Sequence, residues 1–241
     1  MRKLTPDEKV QSDIKLNQYM VAYRKTYYEE NKQALSEKSK ISRQTLKYKF
    51  SEYKSKAKTM RRAFDITAEE FADLWQQPCH YCGSDINTIG LDRVDSTVGY
   101  TLSNVVPCCF YCNHMKLDLD LYRFTQHLHN IQSHKNAPVS ITHDNNFKNY
   151  MWGNYRSRAK RSGKSFTLTK QQFSTLLLSS CVYCGGIHDM GIDRIDSSRG
   201  YELDNSVSCC CTCNSMKLDK TVAEFYEHIS KIVTHLSSKQ P

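Results

Sequence analysis

Apolar residues recur at helical spacing in two stretches that occupy equivalent places in the two halves of the chain. Spacings of three and four residues put such side chains on one face of a helix, so each stretch predicts an amphipathic helix packed against a core. The positions are Leu121, Phe124, Leu128 and Ile131 in the first half, and Val222, Phe225, Ile229 and Ile232 in the second.

Two shorter helices are predicted upstream, each opened by a capping box. Thr67 is followed three residues later by Glu70, and Thr169 is followed in the same way by Gln172. In such a box the hydroxyl and the third-residue side chain satisfy opposing backbone donors. Between each of these helices and the long amphipathic one, the pattern predicts an extended pair of strands with Gly99 or Gly200 in the turn.

The elements recur because the chain is a tandem repeat. Tyr53–Ile131 aligns with Tyr155–Ile232 with a single-residue gap, pairing CHYCG with CVYCG, GLDRVDSTVGY with GIDRIDSSRGY, and CCFYCNHMKLD with CCCTCNSMKLD. We therefore divide the chain into an arm (1–46), a first module (47–132), a polar linker (133–146) and a second module (147–241). The arm keeps helical spacing through Leu16, Tyr19, Met20, Tyr23 and Tyr27, which predicts a helix that packs one face and to which we assign no function.

The composition indicates which classes of partner and which compartment to expect. Among 241 residues, 34 Lys and Arg oppose 25 Asp and Glu, a formal charge of +9 that favours nucleic acid over a membrane surface. No apolar run approaches the ~20 residues of a membrane-spanning helix, and the N-terminus lacks a secretory pattern. We expect an intracellular protein in a reducing compartment, nucleus or cytoplasm, including that of a virus- or phage-infected cell.

The positive charge is concentrated ahead of each module. Residues 38–62 contain ten Lys or Arg and one acid, and residues 145–170 contain seven and no acid. Such runs are often only solvated helix faces, but their repetition in register favours contact with a nucleic-acid backbone, DNA before RNA. We expect the interleaved aromatic residues, Trp152 and Tyr155 among them, to pack rather than stack on bases. The candidate contacts are Lys54, Lys56, Lys58, Arg61, Arg62, Arg156, Arg158, Lys160 and Arg161.

Eight of the eleven cysteines form four C-x-x-C pairs. Two such pairs complete one four-thiolate zinc site, and the alternatives, disulfides or a redox pair, fit a twice-repeated paired arrangement less well. Four thiolates leave no open position for water, so both zinc ions are expected to be structural. Cys108, Cys209 and Cys211 remain, and we expect them to be small buried apolar residues. The ligands would be Cys79, Cys82, Cys109 and Cys112, then Cys181, Cys184, Cys210 and Cys213.

The order C-x-x-C, D-R-x-D, G-Y, N, C-x-x-C-N-x-M-K resembles the HNH family of ββα-metal endonucleases, in particular its zinc-stapled phage, viral and mobile-element members. The resemblance implies an α+β fold of two tandem zinc-stabilised HNH-like modules, each preceded by basic helices. It further implies that Asp92 with Asn113, and Asp193 with Asn214, hold a catalytic Mg²⁺ or Mn²⁺ at the scissile phosphate. In the family a further asparagine, here Asn104 and Asn205, fixes a loop of the site.

Both repeats depart from the family at one catalytic position. The family places a general-base histidine directly after the first aspartate, whereas this chain has Arg93 and Arg194. Arginine keeps its proton, so it could clamp the phosphate but could not act as an ordinary base. Water activation would then fall to the metal ion, to Asp95 and Asp196, or to Tyr100 and Tyr201.

We therefore expect an HNH-type endonuclease whose two sites, one per DNA strand, sit in a monomer that acts as a pseudo-dimer. The alternative is a catalytically inactive HNH-derived zinc protein that binds DNA or RNA, for example within a ribonucleoprotein or another large assembly. A third possibility, a zinc-dependent protein-interaction module, leaves the basic segments unexplained. The paired Asp and Arg residues could also belong to surface ion pairs, each worth only about 0–1 kcal/mol.

Overall fold

The computed structural model describes residues 5–43, 45–75, 77–85, 89–141 and 149–239. The chain forms two compact units, Met1–Met60 and Arg61–Pro241. The second unit carries two small antiparallel sheets, each with two strands, among helices, so the α+β class is confirmed. None of the helices in these described ranges is long and apolar enough to cross a membrane.

The first unit consists of helices α1 (Pro6–Arg43) and α2 (Leu46–Thr59). Thr45 caps α2 by accepting a hydrogen bond from the Tyr48 backbone N–H. The arm is helical as expected, but its apolar stripe stays exposed, and the rings of Tyr19, Tyr23 and Tyr27 stack along it at 6.4 and 6.2 Å. The expected first basic helix, α2, thus groups with the arm rather than with the first cysteine module.

The second unit contains the whole second repeat and the first repeat from Arg61 onward. Its elements are α3 (Ala68–Leu74), β1 (Ile89–Arg93), β2 (Val105–Cys109), α4 (Phe110–Lys116), α5 (Leu121–His134), α6 (Asn149–Arg161), α7 (Lys170–Leu177), β3 (Met190–Arg194), a 3₁₀ turn (Leu203–Asn205), β4 (Ser206–Cys210), α8 (Cys211–Lys217) and α9 (Val222–Ser237). Strands β1 and β2 pair antiparallel with Asp92 opposite Val106, and β3 and β4 pair with Asp193 opposite Val207.

Local sequence signals account for these elements. Both predicted capping boxes are present: the Thr67 hydroxyl accepts from the Glu70 N–H while the Glu70 carboxylate accepts from the Thr67 N–H, and Thr169 and Gln172 do the same. Gly99 sits in the hairpin loop where a Cβ would lie 2.5 Å from the Ala63 carbonyl oxygen. That close approach explains why the loop requires glycine there.

The two repeats share one hydrophobic core. Phe124, Leu128 and Ile131 of α5 are buried in the same cluster as their α9 counterparts Phe225, Ile229 and Ile232. The predicted apolar faces are therefore confirmed, and they pack against each other across the repeats as well as on Tyr81 and Tyr183 of their own repeats.

The predicted linker contacts the second repeat at Ser140 and Ile141. The Ser140 carbonyl accepts a 2.8 Å hydrogen bond from the Ser180 N–H, and the Ser140 N–H donates to the Ser180 hydroxyl at 3.0 Å. Residues 142–148 lie outside the described part of the chain. Ile141 also forms an isolated antiparallel bridge with Ser179, two residues before Cys181 of the second cysteine cluster.

Candidate metal centres

The first cysteine cluster brings all four predicted thiols together in a buried site. One ligand atom from each of Cys79, Cys82, Cys109 and Cys112 lies within 4.8 Å of the others. The Cys82 and Cys109 Sγ atoms are 3.9 Å apart. A tetrahedral ion with metal–sulfur bonds of about 2.3 Å separates its sulfur atoms by about 3.8 Å, so the cluster could hold a metal such as zinc.

Each half of this cluster has a local reason for its shape. Cys79 starts a tight turn in which its carbonyl accepts from the Gly83 N–H at 2.8 Å, and Gly83 has a φ of +66° that favours glycine. Cys109 ends β2 and caps α4, and its Sγ accepts from the Cys112 N–H at 3.3 Å. A turn and a helix start therefore aim two thiols each at one point.

The second cluster repeats this geometry with an added ring. Cys184 and Cys210 Sγ are 3.8 Å apart, and Cys181 makes thiol contacts with both and with Cys213. The Nε2 atom of His127, from α5 of the other repeat, lies within 4.8 Å of the ligand atoms of Cys184, Cys210 and Cys213. The eight predicted metal ligands thus lie in two clusters that could each hold an ion. In the second cluster the four ligand atoms within 4.8 Å of one another are those of His127, Cys184, Cys210 and Cys213, and Cys181 joins them through its thiol contacts.

Hydrogen bonds between the cysteines of a cluster lower the pKa of some of its thiols. Contacts from Cys108 and from the other cluster thiols lower the pKa of Cys79, and those from Cys109 and Cys112 lower the pKa of Cys82 to about 6. In the second cluster, contacts led by Cys184 lower the pKa of Cys181. The first thiolate of each cluster is therefore easily formed, which favours exchange of thiol protons for a cation.

The three remaining cysteines behave differently. Cys108 and Cys209 are buried, and burial raises the pKa of both thiols, in agreement with their expected role as apolar filling. The same expectation is wrong for Cys211, which is exposed at the start of α8. All eleven cysteines are free.

The aspartate of the first predicted catalytic site is buried and already paired. Asp92 is 7% exposed and accepts a 2.7 Å hydrogen bond from the Tyr81 hydroxyl. The ammonium of Lys116, fully buried, lies 3.3 Å from the same carboxylate oxygen and donates to the Arg93 carbonyl at 3.0 Å. Burial, with Asp92 adjacent, raises the pKa of Tyr81, so the phenol stays protonated and donates.

The second repeat reproduces this arrangement. Tyr183 donates to Asp193 at 2.7 Å, and the buried Lys217 ammonium lies 3.1 Å from the same oxygen. Lys217 also donates to the Arg194 carbonyl at 3.1 Å. Both aspartates are therefore held by a hydrogen bond from a phenol and by an ammonium group, and the ammonium supplies the positive charge that a metal ion would otherwise supply.

The asparagines of the predicted catalytic sites, Asn113 and Asn214, lie in α4 and α8. The Asn113 amide is 3.4 Å from the Leu91 carbonyl, one residue from Asp92. Asn214 occupies the equivalent position of α8. Among the described His, Cys, Asp and Glu residues, the groups of three or more that could hold a metal are the first cysteine cluster and His127 with three cysteines of the second.

Both arginines at the family's general-base position organise their own hairpin loop. Arg93 Nη1 bonds the Ser96 carbonyl and donates to the Val98 carbonyl at 2.8 Å, and its guanidinium lies 5.4 Å from the Tyr100 ring centroid. Arg194 makes the matching contacts with Ser197, Arg199 and Tyr201. Each guanidinium is thus hydrogen-bonded to its own hairpin loop, whereas the sequence suggested that it would contact a phosphate.

The loop asparagines complete this framework. Asn104 accepts from the Asp95 N–H at 2.9 Å and donates to the Asp95 and Gly99 carbonyls at 3.0 and 2.9 Å. Asn205 makes the same three bonds with Asp196 and Gly200. Hydrogen bonds from Thr97 lower the pKa of Asp95, and bonds from Ser198 lower that of Asp196, which weakens both carboxylates as bases.

The predicted nucleic-acid contacts are exposed. In the second unit, α6 packs the ring of Tyr155 on Phe173 at 5.1 Å and the ring of Trp152 on Phe166 at 4.9 Å, so these aromatic residues pack as expected. Its cations point to solvent: Arg156, Arg158, Lys160 and Arg161. The cations of α2 and the two residues after Met60 are likewise exposed: Lys54, Lys56, Lys58, Arg61 and Arg62, with Lys56 paired to Glu52.

Three kinds of residue at these sites were not predicted from the sequence. The lysines of the M-K element pair with the aspartates, the tyrosines of each C-x-Y-C donate to them, and a histidine from each long helix reaches a cysteine cluster. Each kind is identical in both repeats, and that identity was the available signal. The residues are Lys116 and Lys217, Tyr81 and Tyr183, and His127 and His228.

Comparison with known proteins gives one informative similarity. The chain is 33% identical over 180 residues to "Uncharacterized protein R423" of Acanthamoeba polyphaga mimivirus. The match covers 71% of this chain and 34% of the viral protein, so the chain spans about a third of that relative's length. No family model matches the chain, and no solved structure matches it.

Proposed function

We propose that this chain is a zinc-stabilised nucleic-acid-binding protein, with DNA preferred over RNA, built from two HNH-like modules joined as an intramolecular pseudo-dimer. Each cysteine cluster would hold one structural Zn²⁺ with no open coordination position. The viral relative is compatible with a role in a virus-infected cell. The exposed cations of α6 are the observation that carries the binding proposal.

The α6 helix has the features of a backbone-binding surface. Its inner face is fixed to the second repeat, since the Tyr155 hydroxyl also accepts from the Ile192 N–H of β3 at 3.0 Å. Its outer face carries four cations and no acid. Within the described residues, Arg158, Lys160 and Arg161 form no ion pair with a carboxylate. Unpaired cations on a fixed helix contact phosphates without losing an existing partner.

The inactive form of the HNH-like module is favoured by the buried ion pairs. A divalent cation at the Asp92 oxygen that Tyr81 and Lys116 both contact would have to displace the fully buried Lys116 ammonium. Breaking a buried pair costs about 3–5 kcal/mol, and the same cost would apply to Lys217 in the second repeat. The endonuclease activity thus stays a prediction, which the lysines oppose.

The binding proposal is tested by titrating labelled duplex DNA and duplex RNA with the protein at several salt concentrations. Replacing all four cations of α6 by glutamine should lower the steepness of the salt dependence by about three to four, since each phosphate contact contributes about 0.9. A variant that loses four lysines of α1, at positions 9, 15, 25 and 32, matches the change in net charge. Equal effects of both variants would refute a specific α6 surface.

The catalytic alternative is tested on supercoiled plasmid with Mg²⁺ or Mn²⁺. We expect binding without cleavage. Linear product from the wild type, nicked circles from Asp92→Ala or Asp193→Ala alone, and no product from the double variant would establish two working sites. That result would restore the endonuclease prediction and overturn the inactive form.

A further inference from the structure

The last helix of each repeat reaches the cysteine cluster of the other repeat. His127 on α5 places its Nε2 atom 3.2 Å from the Sγ atom of Cys213. His228 on α9, the equivalent residue, places its Nε2 atom 3.1 Å from the Sγ atom of Cys112. The contacts are reciprocal, so each cluster of four thiols meets one imidazole from the opposite half of the chain.

A second histidine two helical turns later follows the same path. His134 lies against Gly185 in the turn of the second cluster, its Nδ1 atom 2.8 Å from where a Cβ on that glycine would be. His235 lies in the same way against Gly83, at 2.6 Å. Residues seven apart share a helix face, so each long helix presents two histidines to the other repeat's cysteine turn.

We propose that each metal centre is completed by the opposite repeat, with His127 and His228 donating Nε2–H hydrogen bonds to the metal-bound thiolates of Cys213 and Cys112. The inference rests on the proposed binding of zinc at the cysteine clusters. It assigns these histidines a positioning role, in which they act on the metal through its ligands.

The number of available ligands assigns the imidazoles a donor role. A structural zinc ion takes four ligands, and the first cluster already supplies four thiols. The second supplies three thiols grouped with His127, and the thiol of Cys181, which contacts all three, would be the fourth sulfur ligand. Four thiolates around a divalent ion leave a surplus of negative charge, which N–H donors to sulfur offset. In the first cluster the Cys112 sulfur, which receives His228, is one of those four.

The two histidines keep this contact in different surroundings. The ring of Tyr111 packs edge-on against His228 at 4.5 Å between centroids, whereas the second repeat has Thr212 at the position of Tyr111. Despite that difference, the two nitrogen–sulfur distances agree within 0.1 Å, at 3.1 and 3.2 Å. The shared feature is the contact with sulfur, and ring packing alone does not account for it.

The test uses the full chain loaded with ¹¹³Cd and proton–cadmium correlation spectroscopy. Two cadmium resonances are expected, each correlated with the β-protons of four cysteines. The resonance of the second centre should also correlate with the Nε2 proton of His127, and that of the first with the corresponding proton of His228. His127→Ala should shift the resonance of the second centre and leave the first unchanged, and His228→Ala should do the reverse.

Release of zinc to a chelator gives an independent readout. His127→Ala should release one of two equivalents about tenfold faster, the lower end of the effect of losing such a supporting contact. His127→Gln keeps an N–H donor, so it should restore part of the retention and serves if the alanine variant folds poorly. His129→Ala on α5 and Ser230→Ala on α9 are exposed controls that should change neither centre.

Three outcomes would overturn the inference. The first is an unchanged second centre in His127→Ala. The second is a shift confined to the first centre. The third is a direct nitrogen–cadmium coupling from His127 with loss of one cysteine correlation, which would make the histidine a ligand. If the protein binds no cadmium or zinc at all, the zinc proposal itself fails, and that result differs from two loaded centres without histidine contacts.

Discussion

The cysteine clusters and the buried aspartates were both predicted as metal sites, but they differ in whether a positively charged side chain already lies beside them. Around the thiols, the described partners are other cysteines and one histidine per cluster, and each cluster could hold a cation such as zinc. Around Asp92 and Asp193, Lys116 and Lys217 supply a positive charge from within the chain. A site is therefore identified by its unmet charge more than by its ligand-type residues.

This difference also separates two ways of joining a hairpin to the helix that follows it. A metal ion would clamp the turn at Cys79 to the start of α4, whereas Lys116 ties the end of α4 to β1 through Asp92 and the Arg93 carbonyl. One clamp can be removed by a chelator and the other cannot. Perturbing each in turn tests whether the contrast is real.

The largest effect should come from removing the metal. Zinc-finger peptides gain about 10–16 kcal/mol from structural zinc, and the core of the second unit surrounds the thiols, so chelation should unfold that unit. Circular dichroism before and after exhaustive chelation, with zinc measured by mass spectrometry, checks this. Retention of the native spectrum in protein shown to be free of zinc would contradict it.

A smaller but still large effect is expected at the buried ion pair. Asp92→Ala leaves the Lys116 ammonium buried without its partner and should lower the free energy of unfolding by about 3–5 kcal/mol. Asp92→Leu combined with Lys116→Met should recover most of that loss, because no charge then remains buried. Urea denaturation of the single and double variants measures the coupling.

The control for this cycle distinguishes the two kinds of site. Wild-type stability should be independent of Mg²⁺. A rise in the denaturation midpoint with Mg²⁺ that disappears in Asp92→Ala would reverse our interpretation of the aspartates.

The smallest of the three effects concerns the loop that follows the aspartate. Asn104→Ala removes three hydrogen bonds and leaves backbone groups of Asp95 and Gly99 without a partner, which should cost about 2–3 kcal/mol. Asn113→Ala removes a single long contact of 3.4 Å and should cost less than about 1 kcal/mol. Thermal denaturation compares the two, and equal losses would contradict a purely structural role for the loop asparagine.

Much of the local structure could be predicted from the sequence because its causes are local. The Thr67 and Thr169 caps, the hairpin turn at Gly99 and the apolar face around Phe124 each depend on a few neighbouring residues. The cysteine spacing likewise sets how two thiols of one turn can meet one ion. These features needed no knowledge of how the halves are arranged.

The rest depends on contacts between distant segments. The pairing of Lys116 with Asp92 joins residues 24 positions apart, and the contact of His127 with Cys213 joins residues 86 apart. The burial of α5 against α9 cannot be read from either helix alone, because an apolar face does not specify its partner. The resemblance assigned Asp92 a metal, and only the packing of a fully buried lysine shows what it meets instead.

The shared core also implies a history for the chain. A lone repeat would contain four thiols but would lack the opposite histidine and the helix that covers its own apolar face. An ancestor with one repeat would therefore have been an obligate homodimer, with two identical halves constrained by symmetry. Within a single chain the two halves are not held identical by symmetry. The aromatic residues Phe110 and Tyr111 of the first repeat correspond in the alignment to Cys211 and Thr212 of the second.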